Sequence, residues 1–149
     1  MTVAHQMPHV EGFALGPFAT NCYLVHLGPG GEGWIVDASN EPAPMIDRAR
    51  QFELRITQIL MTHAHGDHIA GLDDVRAAYP GVPVLGQRAE AAFYGAPTLN
   101  LTPGFAPAIR TAPPDRMLDG GETLRLGEPE WRVIHLPGHS PGGVAFYCE

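Results

Sequence analysis

Three histidines and an aspartate fall within six consecutive residues, His63-Ala64-His65-Gly66-Asp67-His68. They directly follow the apolar run Ile56-Thr57-Gln58-Ile59-Leu60-Met61. Imidazole and carboxylate suit zinc and other borderline divalent metals. In extended chain, side chains two apart share a face, so His63 and His65 can reach one ion together. Gly66 permits a sharp turn. Asp67 and His68 then open a helix-like segment and can be aimed at a neighbouring point, a second metal position. A strand that ends in a metal-binding turn and runs on into a helix is the grammar of a layered α/β fold.

A partner for this cluster lies far down the chain. Val133-Ile134-His135-Leu136-Pro137-Gly138-His139 is an apolar strand running into Pro-Gly, the signature of a type II turn. His139 follows the turn and supplies a third histidine for the first metal. His135 lies four residues earlier and reads as structural, because a strand and turn separate the two.

With both motifs in place, the chain resembles the metallo-β-lactamase superfamily. Further stretches resemble its small hydroxyacylglutathione-hydrolase-like (glyoxalase II-like) members. These are Gly16-Pro17-Phe18-Ala19-Thr20-Asn21-Cys22-Tyr23-Leu24-Val25, Trp34-Ile35-Val36-Asp37-Ala38, Leu99-Asn100-Leu101-Thr102 and Leu118-Asp119-Gly120-Gly121-Glu122-Thr123-Leu124. The resemblance implies an αββα sandwich of two similar halves. It implies a first metal on His63, His65 and His139, and a second on Asp67 and His68. It implies that metal-activated water attacks a thioester or other acyl carbon. It also implies a role for Asp37 in orienting a metal-binding histidine. A turn or helix-start aspartate is the alternative reading of Asp37.

The same resemblance sets a further expectation. The family pattern continues into a Gly-Asp motif with a bridging carboxylate, and then a late histidine. Neither follows His139 here. The expectation is therefore a single domain over residues 1–149, C-terminally incomplete, holding the first half of the sandwich and the start of the second. One zinc should be held firmly and the second site left incomplete. The same ligand types can also hold iron or manganese.

Composition narrows the function. The net charge of -7 disfavours nucleic acid, which needs a basic surface. All nine basic residues are arginine. Without lysine, a Schiff-base mechanism and a lysine phosphate loop are excluded. Cys22 and Cys148 lie in strand-like runs and read as buried thiols. No stretch approaches a membrane span, and Met1–Gln6 lacks a signal pattern, so a cytoplasmic setting is expected.

Patterning sets the elements. Val10 to Leu15 and Asn21 to Leu27 read as a hairpin, and Trp34 to Val36 and Ile56 to Met61 as strands. Pro42 to Phe52 reads as a helix with Asn40 as N-cap. A single helix is expected from His68 to Tyr79, capped by Asp67. Val82 to Leu85 reads as an edge strand, and Arg88 to Tyr94 as a short helix. Residues 95–114 form a long loop, either functional or crossing between sheets. Arg116 to Leu126 reads as a hairpin around Gly120-Gly121, with strands at Trp131 to Leu136 and Val144 to Cys148. His5, His9 and His26 are expected at the surface, Tyr23 in the core, and Phe18 near a loop tip where it can touch substrate. Asn100 either contacts substrate or stabilises its loop.

The chemistry follows from the ligand types. Zinc on three neutral imidazoles keeps its charge and lowers the pKa of bound water from about 16 to about 7. Asp67 can take that proton and pass it to the leaving group. The expected activity is zinc-dependent hydrolysis of a small acyl or thioester substrate. The alternatives are a lactone or β-lactam hydrolase of the same superfamily, an iron-dependent sulfur dioxygenase, and a metal-binding but inactive fragment. The sequence does not give the substrate-binding residues. Self-association is expected from an apolar sheet face left without cover.

Overall fold

The computed structural model describes residues 7–149, so the expectations for Met1–Gln6, His5 included, lie outside the described residues. Six strands form the first sheet in sequence order: β1 (His9–Leu15), β2 (Thr20–His26), β3 (Glu32–Val36), β4 (Arg55–Leu60), β5 (Val84–Gln87) and β6 (Arg116–Leu118). The first three pair antiparallel, and β3 through β6 pair parallel. A second sheet holds β7 (Thr123–Arg125), β8 (Glu130–His135) and β9 (Val144–Cys148), all antiparallel.

Alternation along the first sheet builds two cores. Cys22, Leu24, Ile35, Ile59 and Met61 face the helices α1 (Ala43–Gln51), α2 (Gly66–Ile69) and α3 (Leu72–Ala78). Val25, Trp34, Val36 and Leu60 face the second sheet, where they meet Leu124, Trp131, Val133 and Val144. That is the period-two rule of a strand buried on both faces. The Trp34 and Trp131 rings meet across the two sheets with centroids 5.7 Å apart, and each indole N–H is buried without a partner. The described residues thus form three layers: helices, sheet, sheet.

Several sequence expectations are corrected. The helix expected from His68 to Tyr79 is two helices. Gly71 sits so close to the Ser39 carbonyl that a Cβ there would collide with it, and its amide donates to Ala38 O at 2.8 Å. That docking takes precedence over continuing the helix. The residue preceding α2 is His65, not Asp67, and α1 is preceded by Pro42, not capped by Asn40. Residues Arg88–Glu90 and Phe93–Gly95 form two separate 3-10 turns. Strand β5 is interior, between β4 and β6, and Pro83 does not prevent this, since it precedes the strand and contributes only its carbonyl, to Ile59 N.

The segment from Arg116 to Leu126 is not a hairpin. β6 belongs to the first sheet and β7 to the second. Gly120 and Gly121 both take positive φ, 99° and 93°, which swings the chain between sheets. The Glu122 carboxylate holds the turn by accepting the amides of Asp119 and Gly120. The long 95–114 loop leads from β5 to β6 and so stays with the first sheet. His26 is buried, not exposed. Its Nδ1 accepts the Gly28 amide and its Nε2 faces Glu11 Oε1 at 3.0 Å.

Candidate metal centre

The site gathers at the carboxyl ends of β3, β4 and β5, where parallel α/β sheets present their ligands. Residues 62–68 leave β4, and the turn between β8 and β9 carries His139. One ring nitrogen from each of His63, His65 and His139 lies within 4.8 Å of the other two. His65 Nδ1 and His139 Nε2 stand 3.0 Å apart. The His63 ring centroid is 4.7 Å from His65, 5.0 Å from His139 and 4.1 Å from His68.

The decisive atom is His63 Nε2, which is buried with no hydrogen-bond partner. Leaving a buried polar atom unsatisfied costs about 1–3 kcal/mol. A nitrogen orphaned at the centre of three further imidazoles fits a metal ligand, and the donor set suits a borderline divalent ion.

At His63 and His65 the electrostatics favour the neutral ring that a metal requires. Burial, then the neighbouring His68, pushes His63 down to about 4. Burial and His139 hold His65 below its ordinary value. For His68, burial acts downward, but the hydrogen bond and charge of Asp37, with Asp67, more than offset it, and its pKa is raised.

Asp37 follows β3 with a left-handed φ of 61°, a conformation uncommon outside glycine that aspartate tolerates better than most side chains. Its carboxylate accepts the Thr62 amide at 2.8 Å and the Thr62 hydroxyl at 2.6 Å, and its Oδ2 lies 2.8 Å from His68 Nδ1. Thr20 Oγ1 donates to Asp67 Oδ2 at 2.8 Å, and His68 Nε2 lies 3.6 Å from the same oxygen. His135 stays apart from the cluster and contacts Pro141 O.

The long loop borders the site. The Gly66 amide donates to Asn100 O at 2.7 Å, and a Cβ at Gly66 would collide with Thr102. The Asn100 side chain donates to Phe93 O and Ile109 O and accepts from the Thr102 hydroxyl, so it ties the loop together. A cavity of about 250 Å³ opens beside His65 and Asp67, walled by Phe18, Leu101, Thr102 and Phe105. The Phe18 and Phe105 rings stack 6.1 Å apart, and both are exposed.

The profile of the Metallo-beta-lactamase superfamily matches residues 15–149. The chain belongs to that superfamily. The solved structure of the B3 metallo-β-lactamase BLEG-1 is 33% identical with a TM-score of 0.84, covering 94% of this chain and 67% of that one. TTHA1623, solved in a di-iron-bound form, is 34% identical with a TM-score of 0.74, covering 93% and 66%. A hydroxyacylglutathione hydrolase of Cereibacter sphaeroides is 35% identical over 125 residues. That match covers 84% of this chain and 42% of the relative, so the chain spans less than half of that protein.

Sequence reasoning missed two features of this superfamily site. Thr20 lies in the first hairpin, and nothing in its spacing points to Asp67, 47 residues away. Glu90, 1% exposed, accepts the amides of Ala64 and Gly142. An acidic residue in an expected helix carries no signal of burial.

Proposed function

We propose that this protein is a metal-dependent hydrolase of acyl substrates, with a hydroxyacylglutathione-type thioester as the first substrate class. The orphaned His63 Nε2 among His65 and His139 carries the metal part of this reading. The name of the Cereibacter relative supports the thioester part. In the proposal His63, His65 and His139 hold one zinc, with iron or manganese as alternatives, and Asp67 and His68 contribute to a second position.

The chemistry a divalent ion supplies there is Lewis acidity, which acidifies water and polarises a carbonyl. The chain supplies the rest. Thr20 occupies one face of the Asp67 carboxylate and fixes its direction, so Asp67 can take a proton and return it to the leaving group. Asp37 accepts from His68 Nδ1, which turns Nε2 toward the site. Phe18, Leu101 and Phe105 offer an apolar wall on which the uncharged part of a substrate is held against water. Asp37 thus takes the orienting role, in preference to that of a simple turn residue.

No described helix is long and apolar enough to cross a membrane, and both cysteines are free thiols. A cytoplasmic setting goes with this reading, since reducing compartments keep thiols unpaired. The second reading, β-lactam hydrolysis, is favoured by the likeness to BLEG-1. The protein, loaded with zinc, is assayed against a hydroxyacylglutathione, a lactone and a β-lactam, with and without chelator. Chelator-sensitive thioester cleavage that exceeds the other two is expected. Preferential β-lactam turnover would transfer the assignment to the second reading, and no turnover of any substrate would sink both.

A further inference from the structure

Glu90 is almost fully buried and carries a carboxylate. Its Oε2 accepts from Ala64 N at 2.6 Å, between His63 and His65. Its Oε1 accepts from Gly142 N at 2.8 Å, in the turn that carries His139. The ion pairs among the described residues do not include Glu90. A buried carboxylate without a counter-charge is costly, and amides alone offset only part of that cost.

The two segments it joins come from different sheets. Residues 62–68 leave β4 of the first sheet, and residues 136–143 connect β8 and β9 of the second. The Val144 amide gives one further link, to Thr62 O at 2.8 Å, but it holds the strand and not the turn. The approach is close. A Cβ at Gly142 would stand 2.7 Å from Glu90 Cγ and 3.1 Å from Gln87 Oε1. Gly142 is not among the glycines with positive φ, so proximity and not torsion requires glycine there.

We infer that Glu90 is a positioning residue for the metal centre, clamping the His63–His65 segment to the His139 turn so that three imidazoles face one divalent cation. The inference rests on the metal reading proposed above. Both Glu90 oxygens accept backbone amides, and Glu90 lies outside the three-histidine group able to hold a metal, so it acts through the backbone and not as a ligand. A cation among the imidazoles also provides the positive charge that this carboxylate lacks.

The clamp is tested with Glu90→Gln, Gly142→Ala and the double variant. Glutamine keeps the shape but presents an N–H to one of the two amides. Alanine at 142 keeps the carboxylate and forbids the approach. Zinc affinity by competition with a chromogenic chelator should fall at least about tenfold in each, the effect of losing an outer contact to a metal site. The visible spectrum of the cobalt-substituted protein should change as His139 withdraws. The double variant should be no weaker than the weaker single variant, since both break one link.

Zinc affinity within about threefold of the parent, with an unchanged cobalt spectrum, would overturn the clamp. So would losses that multiply in the double variant. If Glu90→Gln does not fold, amide exchange in the unsubstituted protein decides. The Ala64 and Gly142 amides should be protected to a similar degree, and exchange of either at the rate of open loop would overturn the clamp. A parent protein that binds neither zinc nor cobalt would fail the metal reading, while the amide exchange would still report on the clamp.

Discussion

Asp37 Oδ2 lies 2.8 Å from Nδ1 of His68, and this single contact determines which ring nitrogen of His68 faces the site. The same carboxylate ties down Thr62, next to His63. Asp37→Asn must present an N–H to one of these donors. It should lower affinity for a metal at Asp67 and His68 by about 10- to 100-fold, and leave the three-histidine position occupied. Cobalt titration followed by absorbance separates the two positions.

Replacing His65 with alanine should cut bound zinc sharply. His65 faces His139 at 3.0 Å, and two imidazoles remain once it is gone. Zinc measured by elemental analysis after dialysis provides the check. Unchanged stoichiometry would show that the assignment of this histidine is wrong.

Among the described residues, His63, His65 and His139 form one group able to hold a metal, whereas the proposed second position has Asp67 and His68, 3.6 Å apart. Affinity follows ligand number and geometry. The 149-residue chain should therefore retain about one zinc through dialysis. Two zinc ions surviving dialysis would contradict this.

The zinc-free protein should lose stability in mild acid. His63 titrates near 4 in the folded chain against 6.5 for the free side chain. The unfolded chain therefore binds this proton first, and stability falls as pH drops below 6.5 toward 4. His68, raised by Asp37, acts in the opposite direction and is worth most below its unfolded value. The larger His63 effect sets the sign. Melting temperature from pH 7 to pH 5 should fall, and His63→Gln should flatten the slope. An unchanged slope in that variant would remove His63 as its cause.

The outer face of the second sheet exposes Ile134, and Leu136 and Tyr147 are 56% and 48% exposed nearby. Among the described residues, β9 pairs on one side only. Such an edge and apolar surface invite another copy. Sedimentation should show mass rising with concentration, and a sharp monomer at high concentration would argue against this.

Much of this architecture was legible as local pattern. Strand alternation and the strand–turn–helix around His63 are short-range signals, and they gave the layers and the cluster. The long-range decisions were not local. Gly71 breaks a helix because Ser39 stands against it. Gly120-Gly121 looks like a hairpin turn, yet the strands on either side join different sheets. β5 becomes interior only because the chain returns after the long loop to place β6 beside it. Glu90 acquires its contacts from segments 26 and 52 residues away, and Thr20 from one 47 residues away, which no window of sequence contains.

The chain has only two tryptophans, and both stand at the junction of the sheets. Their emission is therefore an optical gauge of one event, the docking of one sheet on the other. A ligand substitution that empties the metal centre but spares this junction should leave the spectrum blue-shifted. A variant that parts the sheets should shift it to the red, whatever happens to the helices behind β3 and β4. Fluorescence and circular dichroism recorded on the same sample would thus follow different layers of this molecule.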